Sequence, residues 1–247
     1  MNKRILGGLA ALLLTAGLAG AASAETIRVG VSAGPHAEIL EQVRKVAAQD
    51  GLDIKIIEFT DYVVPNTALA SGDIEANSFQ HLPYLENQVK DRGFKLVSVG
   101  QTVVFPMGFY SKKVKSFDEL PEGATVAIQN DPTNGGRSLL LLQAKGVIKL
   151  RDGVGLKPTL LDIAANPKKL RLIELDAAQL PRSLDDVTAA AVNTNYAVEA
   201  GLDPVKDAIA REDAESPYTN IIAVALAICA MGGANAAKEA NHSNIEA

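Results

Sequence analysis

Tryptophan is absent from this chain of 247 residues, cysteine occurs once, and aromatic residues make up 4% of it. The single Cys229 cannot close an internal disulfide, so the fold has to be held by packing alone. Ile228 and Ala230 flank it, and nothing beside it in sequence would lower a thiol pKa, which argues against a nucleophile. The three histidines, His36, His81 and His242, are too scattered to suggest a metal cluster. Positive charge is also short. Lys and Arg number 24 against 29 Asp and Glu, a formal net charge of −5, which disfavours nucleic acid and anionic lipid as partners. Beyond the N-terminus no apolar run reaches the length of a membrane span.

What is present begins with an export signal. Lys3 and Arg4 precede an apolar stretch from Ile5 to Leu18, and Ala22-Ser23-Ala24 has the small-x-small form of a cleavage site. Cleavage after Ala24 is expected to leave Glu25 as the first residue of a periplasmic protein. Loss of Lys3 and Arg4 then takes the net charge from −5 to −7.

After residue 25 the pattern alternates between strand and helix. Thr26 to Ser32 alternates apolar and polar residues, and Pro35 opens a helix whose stripe is Ile39, Leu40, Val43 and Val46. Gly51 stops it. Leu52 to Phe59 reads as a second strand, Pro65 to Gly72 as a short helix, Asp73 to Phe79 as a third strand and Leu82 to Asp91 as another helix. Lys95 to Tyr110 holds one or two strands, Ser116 to Glu119 has the form of a capping box, and Leu170 to Leu175 and Val187 to Asn193 read as strands. Such alternation implies α/β architecture, with parallel sheets covered by helices on both faces.

Ligands of such sheets collect at the carboxyl ends of strands, where helix N-termini point inward. The strand Ala124 to Gln129 runs into Asn130-Asp131-Pro132-Thr133-Asn134-Gly135-Gly136-Arg137, with an apolar helix expected after the two glycines. A helix start with free N–H groups and a guanidinium makes a point that attracts an anion, and Arg137 offers planar, bidentate donors to a carboxylate. At other strand ends stand Tyr62, Phe79, His81, Tyr84 and Asn193, while Asn220 adjoins the apolar run from Ile221. The set has one cation, two amides, three aromatics and one imidazole, and neither a carboxylate pair nor a nucleophile–base pair. It suits gripping a zwitterion with an apolar side chain rather than breaking bonds, so no enzyme activity and no cofactor are expected.

These blocks resemble a known family. Asp61-Tyr62-Val63-Val64-Pro65-Asn66, Phe79-Gln80-His81-Leu82-Pro83-Tyr84-Leu85, Asn130 to Asn134 with Arg137-Ser138, Pro181 to Asp186, and Glu215-Ser216-Pro217-Tyr218 with Asn220 are similar to signature blocks of the NlpA family, the substrate-binding proteins of methionine ABC importers. The resemblance runs from about Thr26 to Asn220. It implies a two-lobe periplasmic-binding-protein fold with mixed, mostly parallel sheets and a ligand cleft between the lobes. Residues 25–104 with 217–247 would form the first lobe and 105–216 the second. It also implies a monomer that captures methionine, of L and in one reading also D configuration, and delivers it to an ABC permease with its ATPase. Arg137 would take the ligand carboxylate, Asn193 and Asn220 its amino and carboxylate groups, and Tyr62, Phe79, His81 and Tyr84 would wall the side chain. Another small apolar amino acid or peptide as ligand, or a sensor or adhesin reusing the fold, stays open as an alternative.

Two departures stand against the family pattern. Leu18-Ala19-Gly20-Ala21 has alanine where a lipobox cysteine would sit, so a soluble periplasmic protein without a lipid anchor is expected. After Asn220 the family continues with a strand and amphipathic helices that complete the first lobe. Here residues 221–228 can still supply the strand, but residues 231–247 lack the periodicity of a packed helix. A frameshift or truncation near residue 223 would produce such an end, and would leave the first lobe incompletely covered.

Overall fold

The computed structural model describes residues 25–213 and 215–226. The expected export segment 1–24 and the chain from residue 227 on, with Cys229 and His242, lie outside the described residues. Strand β1 (Glu25–Ser32) leads into helix α1 (Pro35–Ala47), then β2 (Leu52–Phe59), α2 (Val64–Ser71), β3 (Ala76–His81), α3 (Leu82–Arg92) and β4 (Leu96–Gln101). Proline in the first turn opens each of the three helices, because its fixed φ suits that turn and its missing N–H would have no partner there. Gly72 and Gly93 close α2 and α3 in the left-handed conformation, at φ 81° and 69°, where a Cβ would be strained. The third strand starts and ends later than expected and carries His81 as its last residue.

The chain continues through β5 (Gly108–Tyr110), β6 (Thr125–Gln129), α4 (Pro132–Ala144), β7 (Lys149–Leu150), β8 (Ile163–Ala165), β9 (Arg171–Leu175), α5 (Leu180–Ser183), β10 (Ala189–Val192), α6 (Thr194–Glu199), β11 (Ala208–Arg211) and β12 (Asn220–Ala225). Two five-stranded sheets result, ordered β2-β1-β3-β12-β4 and β11-β5-β10-β6-β9, beside a small β7-β8 ribbon. They share one plan. Three neighbouring strands run parallel, the next is reversed, and the edge strand beyond it runs with the first three. In the first sheet the reversed strand is β12, from the far end of the chain. In the second it is β5, which precedes the other four.

The second sheet is buried throughout its middle: Val126, Ala127 and Ile128 of β6 and all four residues of β10 have no exposed surface. Such continuous apolar strands are what a sheet covered on both faces requires. Around the first sheet, Leu40 of α1 packs with Val29, Val31 and Ile54, while Leu69 of α2 and Leu85 of α3 pack on the other side with Ile74, Leu96 and Ile221.

Three local expectations need correction. The α1 stripe is only partly a core face: Leu40 is buried, but Ile39, Val43 and Val46 are exposed. Ser116 to Glu119 starts no helix; the Glu119 carboxylate instead accepts the Lys115 N–H at 2.7 Å and closes a turn. Helix α4 begins at Pro132, ahead of the glycines, because Asp131 is its N-cap and accepts from the N–H groups of Thr133 and Asn134 at 3.2 and 2.8 Å. The glycines serve close approach. A Cβ on Gly135 would lie 2.7 Å from the Gln129 carbonyl oxygen, and one on Gly136 would lie 2.8 Å from the Cα of Lys157.

Candidate ligand-binding cleft

The carboxyl ends of β1, β2, β3, β6 and β10 converge on one cleft between the two sheets. Tyr62 follows β2, Phe79 and His81 end β3, Tyr84 opens α3, Arg137 stands in the second turn of α4, Asn193 follows β10 and Asn220 begins β12. All seven line a single cavity. The same wall includes Gln80 and Asn134, which stand in the sequence blocks with no role assigned to them, and His36, Phe105, Thr194 and Asn195, which sequence reasoning did not single out.

One side of the cavity is aromatic. The Tyr62 ring lies 6.0 Å from Phe79, 6.3 Å from Tyr84 and 5.0 Å from Tyr196, centroid to centroid. Tilted and edge-on contacts of this kind suit the ring quadrupoles. Their hydroxyls are committed to fixing the walls. Tyr84 Oη donates to the Tyr62 carbonyl at 2.8 Å, and Tyr62 Oη donates to Asn195 Oδ1 at 2.5 Å, from the first sheet's side of the cleft to the second's. Burial pushes the Tyr62 and Tyr84 hydroxyls far above the ordinary tyrosine value, so both stay protonated donors.

The other side is an amide network. Ser138 Oγ donates to Gln129 Oε1 at 2.5 Å, Gln129 Nε2 to Asn193 Oδ1 at 2.8 Å, and Asn193 Nδ2 to Asn134 Oδ1 at 3.0 Å. His81 meets the end of this chain, its Nε2 lying 3.4 Å from Asn134 Oδ1. His81 Nδ1 accepts the Tyr84 N–H at 3.1 Å and so caps α3. With Nδ1 accepting, the neutral ring carries its proton on Nε2. Burial, aided by the Arg137 charge, lowers its pKa to about 3. His36, edge-on to Phe105 with centroids 4.9 Å apart, is lowered to about 4 by burial. Both rings are therefore neutral walls at physiological pH.

Arg137 departs from the sequence reading in one respect. Its bidentate edge is already taken: Nε and Nη2 donate to the two carboxylate oxygens of Glu212 at 2.7 and 2.5 Å, and Nη2 also donates to the Phe105 carbonyl at 3.0 Å. The guanidinium lies over the Tyr218 ring, 4.3 Å from its centroid. What remains for a ligand is Nη1. The helix N-terminus is likewise satisfied by Asp131, so the anion point rests on side chains. Asn220 Nδ2 donates to the Val103 carbonyl at 3.0 Å, which leaves its Oδ1 to accept. Asn195 Nδ2 is buried with no partner among the described residues. A buried donor in that state costs free energy until an acceptor arrives.

No described residue lining the cavity is a carboxylate, a thiol or a lysine. Neutral imidazoles, protonated phenols, amides and one compensated arginine can orient and desolvate a polar ligand. They offer no group poised to exchange a proton near neutral pH.

Known proteins are similar to this chain in sequence and in fold. A D-methionine-binding lipoprotein MetQ of Salmonella typhimurium is 59% identical over 199 residues, covering 79% of this chain and 73% of the relative. The Escherichia coli K12 protein of the same description is 58% identical over the same length. Among solved structures, the methionine-binding protein MetQ superposes with a TM-score of 0.82 at 54% identity, covering 87% of this chain and 89% of that one. A nutrient-binding protein from Burkholderia cenocepacia bound to methionine also reaches 0.82, at 56% identity, over 87% and 90% of the two chains. The NlpA lipoprotein family model matches residues 27–227, and the chain belongs to that family.

Proposed function

We propose that this chain is the substrate-binding protein of an ABC importer and captures methionine in the cleft between its two sheets. The observation that carries the reading is the cavity itself, where an aromatic wall of Tyr62, Phe79 and Tyr84 faces a polar wall of Arg137, Asn193 and Asn220. Relatives described as methionine-binding, at 58–59% identity, support it. In this reading Nη1 of Arg137 and the uncommitted N–H of Asn193 hold the carboxylate, and Asn220 Oδ1 accepts from the ammonium. The thioether runs against the aromatic edges, each such contact favouring sulfur by about 0.3–1.5 kcal/mol.

The two lobes, residues 25–104 with the chain from 217 and residues 105–216, close over the ligand, and the closed form docks on the permease. Contacts such as Tyr62–Asn195 are made only when the two sides meet. A ligand that touches both lobes shifts their equilibrium by its differential affinity for the closed state. Its relatives are lipoproteins. For this chain the finer reading is release into the periplasm after cleavage at Ala24, because Ala21 cannot carry a lipid.

Calorimetric titration of ligand-stripped residues 25–247 with L-methionine, D-methionine and leucine tests the assignment. Submicromolar binding of at least one methionine enantiomer with much weaker leucine binding is expected. A cooperatively folded protein that binds neither enantiomer would overturn it.

A further inference from the structure

Arg137 and Glu212 form the most thoroughly buried ion pair among the described residues, with side chains 4% and 12% exposed. The pair sits where the chain crosses between the sheets. Glu212 Oε2 also accepts the Met107 N–H at 2.9 Å, and the Glu212 N–H donates to the Met107 carbonyl at 3.0 Å. Arg137 is tied to the neighbouring Phe105 carbonyl and stacked on Tyr218. Glu212 is not on the cavity wall; it stands behind Arg137 and lines a separate depression on the far side. Among the described residues, the only cation on the cavity wall therefore faces the ligand with a counter-charge already paired to it.

We propose that Glu212 is a specificity-determining residue of the cleft: by neutralising Arg137 it makes the binding site electrically neutral, so that the site admits a zwitterion and rejects a simple carboxylate anion. A lone buried arginine would attract any carboxylate strongly. Paired with Glu212, it still directs a carboxylate through Nη1, but the long-range field that would reward a net negative ligand is gone. The ligand has to bring its own positive charge, and the acceptor left open for it is Asn220 Oδ1. The inference rests on the methionine reading given above.

The test compares the affinity for methionine with that for its deaminated analogue, methylthiobutanoate, in the wild type and in Glu212→Gln. Both ligands share the carboxylate and the thioether, so a purely structural role for Glu212 weakens both alike and leaves their ratio unchanged. The expected result is a shift of the ratio toward the anion by about tenfold or more, since removing the carboxylate leaves a net positive charge beside the ligand. The Arg137→Gln variant leaves Glu212 alone and is expected to move the ratio the opposite way. The Arg137→Gln/Glu212→Gln pair restores neutrality and should return the ratio close to the wild-type value. Should Glu212→Gln fail to fold, the other two variants decide. A ratio that stays within about twofold across the folded variants overturns the assignment, at a threshold well below the Coulomb effect. Wild-type protein that binds neither ligand overturns the methionine reading itself, and this one with it.

Discussion

Among the described residues, the two sheets have the same strand plan and unequal cover. In the second, all of β10 and every residue of β6 after Thr125 are buried. In the first, α1 turns Ile39, Val43 and Val46 outward at 44, 45 and 61% exposure, and Ile222 and Leu226 of the last described stretch are 36 and 49% exposed. The same pattern of strand directions thus goes with different shares of the stabilising burial among the described residues. An apolar stripe at helical spacing states which face would gain from cover, and whether cover arrives depends on other parts of the chain.

Substitutions separate the contributions of the two sheets. The largest effect is expected in the second sheet: Ile128→Ala, at a wholly buried position, should lower unfolding free energy by about 2–5 kcal/mol in chemical denaturation. A cost under about 1 kcal/mol would show that the second sheet packs more loosely than its burial implies.

An intermediate effect belongs to acid. Both buried histidines, His36 and His81, are on the first sheet's side, with pKa values held at about 4 and about 3. The unfolded chain takes up these protons near the ordinary value of about 6.5 and the folded chain does not, so stability falls as pH drops from there toward the folded values. The slope is on the order of 1 kcal/mol per pH unit for each ring. Denaturation midpoints at pH 7 and pH 5 should differ accordingly, and the His36→Gln/His81→Gln pair should flatten that dependence; an unchanged slope would locate acid sensitivity elsewhere. The smallest effect is expected on the exposed stripe, where Val43→Lys should change stability by no more than about 0.5 kcal/mol. A loss several times larger would mean that Val43 is covered in solution.

Much of this fold was legible because its signals are local. Prolines at helix starts, glycines at helix ends and the apolar runs of β6 and β10 each report on their own neighbourhood. At α4 two local signals compete: Gly135-Gly136 reads as a break, yet Asp131-Pro132 is the start, and the glycines answer a steric demand from Gln129 and Lys157 that no local pattern contains. The site divides the same way. Residues at strand ends are legible because strand ends are predictable, and the cavity brings them together. Glu212 and Asn195 are not, since their partners Arg137 and Tyr62 lie 75 and 133 positions away in sequence. His36 could have been flagged by its place just after β1, beside Pro35; nothing local marks Phe105.

The placement of β12 has a consequence in time. Every strand of the second sheet is contained between residues 108 and 211, whereas the first sheet lacks an interior strand until Asn220–Ala225 arrives. A chain emerging from its N-terminus can assemble the later-encoded sheet first, from contacts closer in sequence, while the earlier-encoded one waits with β3 and β4 unjoined. The half of the molecule made first is the half finished last, and its unpaired strand edges are open to other pairings for as long as that wait lasts.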